Sequence, residues 1–378
     1  MSSYSNLSSV ETLYNLNAQY AEHLLPLVYV FSLNVLAGVL GNAVVLIVFS
    51  WSREYKNTNF KVCALYHGVI DLVTCVTVIP GEIFRLRHYF IYIYGTLCKF
   101  LCFMNMFGAA AAAFILMLIS MERFHRIKRP LKTQISPRTC VKICGICIVV
   151  AFILACPTAF FCGIGNKRLT NIDAGNTTAY LCVVEETFKD SIWLVVYKQI
   201  LYILTGIFLV LSISIYVSIW HTVHAATNRR MGQGFFKMRG QRADQQFDTE
   251  KKSMEVKTAN EEFKRTLTEK EPKKSKSFFL SERRSLQRTY SDRIGPFPYK
   301  TLVWFILTVT FIATRILYCA LSLVQDDMLS FPHPLFTIVY FFYRLYFINS
   351  VINPLVYAIL DSRFRYSCRR IYREMICF

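Results

Sequence analysis

From Thr96 to Met121 the chain has one charged residue, Lys99, in 26 positions. A helix rising about 1.5 Å per residue crosses the roughly 30 Å hydrocarbon core of a bilayer over that length, with some tilt. Six further apolar runs resemble it: Pro26–Trp51, Val62–Phe84, Cys140–Gly163, Ile192–His221, Thr301–Val324 and Leu335–Leu360. None alternates polar and apolar residues as a barrel strand would, and a backbone in lipid must satisfy its own hydrogen bonds. The expected fold class is an all-α membrane protein, a seven-transmembrane helix bundle.

Composition agrees. Hydrophobic residues make up 54% of the 378, too many for an ordinary soluble chain. The net charge of +19 does not form a nucleic-acid surface, because it is concentrated beside the apolar runs and in one polar insert. Residues 225–300 hold nineteen Lys or Arg against ten Asp or Glu. Of the thirteen cysteines, most lie inside apolar runs (Cys63, Cys75, Cys102, Cys144, Cys147, Cys156, Cys319), where cysteine reads as a small buried hydrophobe. A disulfide-rich scaffold is excluded, and the pair Cys144 and Cys147 lies in a span without the partners a metal site needs.

Seven crossings put the termini on opposite sides. Basic residues follow the first, third, fifth and seventh runs (Arg53, Lys56, Lys61; Arg126, Lys128, Arg129, Lys132, Arg138; the insert; Arg363, Arg365, Arg369, Arg370, Arg373). Glu185, Glu186, Asp190, Asp326 and Asp327 mark the other face, although Arg85, Arg87 and Arg168 oppose the trend. The positive-inside rule puts the N-terminus outside and the C-terminus in the cytosol of a plasma-membrane protein. The sequons at Asn6 and Asn176 both fall outside, as candidate glycosylation sites. Residues 1–24, an extracellular tail, lack the charged start and apolar core of a removable signal. Residues 25–224 hold the first five helices, and residues 225–299 form a third cytoplasmic loop expected to be disordered. Arg283-Arg284-Ser285 and Arg288-Thr289-Tyr290-Ser291 there look like kinase substrates. Residues 300–360 hold the sixth and seventh helices. In residues 361–378, Phe364, Cys368, Ile371 and Tyr372 recur at helical spacing among arginines, an amphipathic eighth helix on the inner leaflet, with Cys368 a candidate palmitoylation site.

Gly41-Asn42 in the first run, Asp71 in the second, Cys98 opening the third and Glu122-Arg123-Phe124 ending it come in order. Pro130-Leu131 follows, and Asn353-Pro354-Leu355-Val356-Tyr357 then Phe364 close the series. The chain thereby resembles the rhodopsin-like (class A) G-protein-coupled receptors, over all but the insert and the N-terminal tail. The resemblance implies a receptor, not an enzyme, that activates a heterotrimeric G protein and meets receptor kinases, arrestin and membrane lipids. It implies a disulfide between Cys98 and Cys182. It implies a polar cluster of Asn42, Asp71, Asn349, Ser350 and Asn353 able to hold water or sodium, although Ala112 stands where many relatives have a serine. It also implies a switch made of Glu122, Arg123, Phe124, Tyr216, Asn353, Pro354 and Tyr357, with Pro354 kinking the last helix.

Departures from the family pattern narrow the ligand. Asn105 stands where amine receptors carry an aspartate, and Phe347 where opsins carry the retinal lysine. Phe297 occupies the neighbourhood of the acidic partner on the sixth helix. Arg315 replaces the usual tryptophan of that helix; a charge at such depth needs a partner, and Asp71, Glu82 or a ligand carboxylate are the candidates. The candidate ligand residues are Glu82, Arg85, Asn105, Lys198, Gln199, Arg315, Tyr318, Tyr343 and Arg344, some of which can pair among themselves. Charges of both signs on several helices suit a short neuropeptide. A non-peptide small molecule is the alternative. A transporter or channel would show repeated halves or a charged ring, and an intramembrane enzyme would need paired catalytic groups beside Asp71.

Overall fold

A computed structural model describes residues 2–129, 131, 133–169, 177–225, 299–324 and 331–376. Two compact units divide the chain, Met1–Tyr216 with Tyr299–Phe378, and Val217–Pro298. Of the second, residues 217–225 are described and continue a helix of the first. The insert, Asn176, Asp326 and Asp327 lie outside the described residues.

The helices are α1 (Ser2–His23), α2 (Leu25–Trp51), α3 (Asn59–Val76), α4 (Val78–Arg87), α5 (Gly95–Lys128) and α6 (Pro137–Phe161), then α7 (Ile192–Ala225), α8 (Tyr299–Ser322), α9 (His333–Tyr343), α10 (Asn349–Leu360) and α11 (Ser362–Ile376). Six spans are long and apolar enough to cross a bilayer, with α3 and α4 counted as one. The seventh is α9 and α10 joined by a 3-10 turn, Leu345–Ile348, at a bend of 46°. Large apolar side chains on α6 and α7 face outward, Ile153 62%, Ile203 60% and Val210 64% exposed, as lipid-facing surfaces do.

Two prolines act differently. Pro80 has no N–H for the Val76 carbonyl, and the helix breaks there, between α3 and α4 at Thr77. Pro354 leaves the Ser350 carbonyl free in the same way, yet α10 runs through it unbroken. The Asn42 side-chain amide donates to that carbonyl at 2.7 Å, taking the place of the missing backbone donor. Gly41 allows the approach, since a Cβ there would lie 2.8 Å from Pro354. The bend of the seventh span falls at Arg344, between Tyr343 and Leu345, ten residues before Pro354.

Residues 2–23, expected as a tail, form a helix that packs on the bundle. Asn17 is its anchor: the side-chain amide donates to the Arg87 carbonyl, and its oxygen accepts the Phe90 N–H, both at 3.1 Å. The Tyr20 ring meets Phe90 at 4.7 Å. The loop after α6 is a hairpin of β1 (Cys162–Leu169) and β2 (Thr177–Val184), antiparallel with Cys162 opposite Val184 and Leu169 opposite Thr177. The polar stretch Asn171–Asn176, rich in turn-forming residues, was the sequence signal for it.

At the other end, α11 is held by Asp361. One carboxylate oxygen accepts the N–H groups of Arg363 (2.9 Å) and Phe364 (3.3 Å), and the other accepts the Tyr55 hydroxyl (2.7 Å). Phe364 and Ile371 are buried, Tyr372 is exposed, and Cys368 packs partly buried on the core. Asp361→Ala is expected to cost about 1–2 kcal/mol through loss of this cap. Thermal unfolding of the purified chain is the check; an unchanged midpoint would show that packing alone holds α11.

Candidate functional site

The site is organised along α5. At one end, Cys98 is bonded to Cys182 of β2, and Cys102, one turn further on, is bonded to Cys162 of β1. The reading of Cys102 as a lone buried hydrophobe is thus corrected: two bonds fix both strands to α5. The partner of Cys102 was hidden in the sequence because Cys162 falls at the end of an apolar run.

Below the hairpin lies a cavity of about 40 Å³, whose wall includes Glu82, Arg85, Asn105, Cys182, Arg344 and Tyr346. Glu82 is its centre. One of its oxygens lies 2.6 Å from Arg85 Nη2 and 2.8 Å from Arg344 Nε, and also accepts the Tyr340 hydroxyl. Arg344 donates to the Tyr346 hydroxyl at 2.9 Å and stacks 4.6 Å over the Tyr343 ring. Tyr318 and Tyr343 stack at 5.0 Å. Seven of the nine candidate ligand residues thus gather here or just beneath. Lys198 and Gln199 do not: both are exposed on α7 and line neither cavity described.

Asn105 and Tyr346 also line a second cavity, of about 30 Å³, which reaches Asp71, Arg315, Asn349 and Ser350. Arg315 forms no ion pair with Asp71 or Glu82, contrary to expectation. Its guanidinium lies over the rings of Tyr346 (4.7 Å), Phe311 (5.2 Å) and Tyr318 (6.0 Å). The faces of these rings carry partial negative charge and supply the counter-field a carboxylate was expected to give. Asp71 is served otherwise, by the Asn353 amide and the Ser350 hydroxyl. His67 Nε2 is 3.9 Å away, one turn back on α3, a neighbour the sequence reading missed although its spacing shares a helix face. Asn42 joins through Ser350, while Asn349 turns to Thr314 of α8 at 2.8 Å.

At the far end of α5, Arg123 Nε sits 3.2 Å from Glu122 Oε2, at an angle that makes no directed hydrogen bond. Glu122 is shared with Arg126 (2.5 Å) and with the Asn59 amide (3.4 Å). Phe124, partly exposed, lies under Lys128 at 5.3 Å. Among the described residues, the polar contact of the fifth span with the sixth helix here is made by hydroxyls. Tyr216 on α7 is 3.1 Å from Ser120 on α5 and 3.1 Å from Thr308 on α8, a chain of three hydroxyls across three helices. Tyr357 is buried among the rings of Phe49, Phe60, Trp304 and Phe364, and its hydroxyl has no hydrogen-bond partner. Nearby, Cys63, Cys140 and Cys144 meet between α3 and α6, their sulfurs all within 4.8 Å, a convergence that spacing along the chain did not show.

A helix bundle with a hairpin bonded to its third span and an arginine–glutamate pair at that span's other end defines the class. Residues 41–357 match the family described as 7 transmembrane receptor (rhodopsin family), and the chain belongs to it. Among named relatives it is similar to bombesin receptor subtype-3 of Ovis aries, 26% identical over 152 residues, 38% of this chain and 37% of that protein. The [Phe13]-bombesin receptor of Bombina orientalis is 24% identical over 240 residues, 58% of this chain and 59% of its own length. The C3a anaphylatoxin chemotactic receptor of Cavia porcellus is 30% identical over 146 residues, 38% and 30%. The chain thus spans less than two thirds of the length of each of these relatives.

Proposed function

We propose that the chain is a plasma-membrane receptor with its N-terminus outside, which binds a peptide at the disulfide end and drives nucleotide exchange on a heterotrimeric G protein at the Arg123 end. The observation that carries this is α5 itself. One uninterrupted helix, Gly95–Lys128, joins the disulfides and the charged cavity to the Glu122–Arg123 pair. A ligand that shifts one end of a rigid rod biases the packing at the other. The relatives named above are receptors named for bombesin and for the C3a anaphylatoxin, and a peptide ligand suits the mixed charges of the cavity wall.

The test is second-messenger output from cells expressing the chain, challenged with pools of synthetic peptides and, separately, of amines. The reading expects a peptide pool to act and the amine pool to be silent. Amine-only responses would move the ligand to the non-peptide class, and ion flux without G-protein output would replace the receptor reading with a channel.

Sodium fits the Asp71 cluster poorly. Ala112 brings no oxygen, the Asn353 amide already occupies the carboxylate, and the fixed cation Arg315 lines the same cavity. Exchanging sodium chloride for choline chloride is expected to move the thermal midpoint of the purified receptor by less than ~1 °C, since only an ion that binds the native state stabilises it. A sodium-dependent rise of several degrees would contradict this.

A further inference from the structure

Three guanidinium groups converge on the two cavities, those of Arg85, Arg344 and Arg315, and one carboxylate, Glu82, pairs with the first two. Asp71 lies deeper and has no arginine within ion-pair distance among the described residues. The shortage is visible atom by atom. Both arginine contacts to Glu82 fall on the same oxygen, Oε1, which also takes the Tyr340 hydroxyl. Arg85 Nε is buried and has no hydrogen-bond partner, and Arg315 Nε is in the same condition. An arginine carries five N–H donors and no acceptor, and a buried donor left unmade is costly, so this wall is short of acceptors and of negative charge. The Arg85 side chain is 19% exposed, against 7% for Arg344 and 8% for Glu82, so the pair can be approached from the Arg85 side. The volume beside them, about 40 Å³, has room for a small group, not a bulky one.

We propose that this site receives a carboxylate of the ligand, set between Arg85 and Arg344 and sharing their donors with Glu82. A carboxylate is planar and small, and it pairs with guanidinium groups through two parallel hydrogen bonds. It brings the second negative charge that Glu82, shared between two guanidinium groups, does not supply. The carboxylate can be a free peptide C-terminus or an acidic side chain, which share this chemistry. Glu82 then acts as the element that keeps the two arginines together before the ligand arrives, and Asn105, on the floor of both cavities, faces the incoming group. The inference rests on the reading of the disulfide end as the ligand entrance.

Thermal unfolding of the purified full-length receptor, with matched probes in excess, tests it. N-acetylphenylalanine is compared with its primary amide, and N-acetylglutamic acid α-amide with N-acetylglutamine amide. The expected result is a rise of roughly 3 °C for the acid of at least one pair over its amide, at about ten times its dissociation constant. Which pair responds tells a terminal carboxylate from a side-chain one. Arg344→Gln should abolish the difference and Arg344→Lys should keep part of it. Equal effects of acid and amide in both pairs overturn the proposal, and so does an acid effect that survives Arg344→Gln unchanged. Because acid and amide are compared in the wild-type protein, the result stands even if a variant folds poorly. A silent peptide pool in the signalling experiment, with the acid preference intact, would sink the peptide reading and leave the carboxylate site standing.

Discussion

Glu82→Ala should lower the stability of the receptor by about 3–5 kcal/mol, because it removes the single carboxylate between the buried guanidinium of Arg344 and the partly buried one of Arg85 and leaves both uncompensated. Glu82 and Arg344 are both under a tenth exposed, so water cannot take over the pairing. Glu82→Gln should cost less: the amide oxygen still accepts one of the three contacts, although its charge is gone. The measurement is the thermal or denaturant midpoint of purified protein, with surface expression as a second readout. A loss below about 1 kcal/mol would mean that Arg85 and Arg344 find other partners or water, at no more than the cost of losing a surface pair. Acetate in excess should recover part of the stability lost in Glu82→Ala, because it returns a carboxylate to the two guanidinium groups.

The second large effect concerns the opposite end. Arg123→Ala should reduce agonist-driven G-protein output by at least tenfold at unchanged surface level, about 1.4 kcal/mol or more of lost coupling. The side chain is 7% exposed in this structure and its pair with Glu122 is also buried, so Arg123 reaches a partner only after the helices around it separate. Glu122→Gln should act in the opposite direction and raise output without ligand, because Asn59 and Arg126 lose a charged anchor along with Arg123. Nucleotide exchange measured in membranes decides both. Unaltered exchange in Arg123→Ala would remove this residue from the coupling surface, whatever the ligand proves to be.

The spans were legible because a bilayer is a strict solvent: twenty apolar residues have few other uses, and the register of motifs along them needs no tertiary information. Features decided by side-chain direction were not legible. Arg315 was expected to seek a carboxylate, since depth in the membrane sets the cost of a charge but not which neighbour offsets it; aromatic rings at 4.7 to 6.0 Å did so. Cys102 and Cys162 looked alike and apolar until the hairpin brought one strand over α5. The packing of α1 rests on Leu13, Asn17 and Ala21, one face of a segment too polar overall to be read as a packed helix. The hydroxyl chain through Ser120, Tyr216 and Thr308 joins residues 96 and 92 positions apart, each unremarkable on its own helix. By contrast, the pairing of Glu82 with Arg85 and Arg344 was readable as an alternative to ligand binding, because helical spacing already placed Glu82 and Arg85 on one face.

The bond from Asn42 to the Ser350 carbonyl has a mechanical meaning. It splints the last helix at Pro354, while the bend of the seventh span stands at Arg344, where α9 ends and the turn Leu345–Ile348 begins. The arginine proposed to hold the ligand is thus mounted on the hinge pin, and α10 is the lever. Twelve residues of helix make an arm of about 18 Å, so a turn of about 10° at the joint carries its far end, near Tyr357, through about 3 Å. A contact of atomic size at the ligand end becomes a displacement of side-chain size beside Phe49, Phe60 and Trp304.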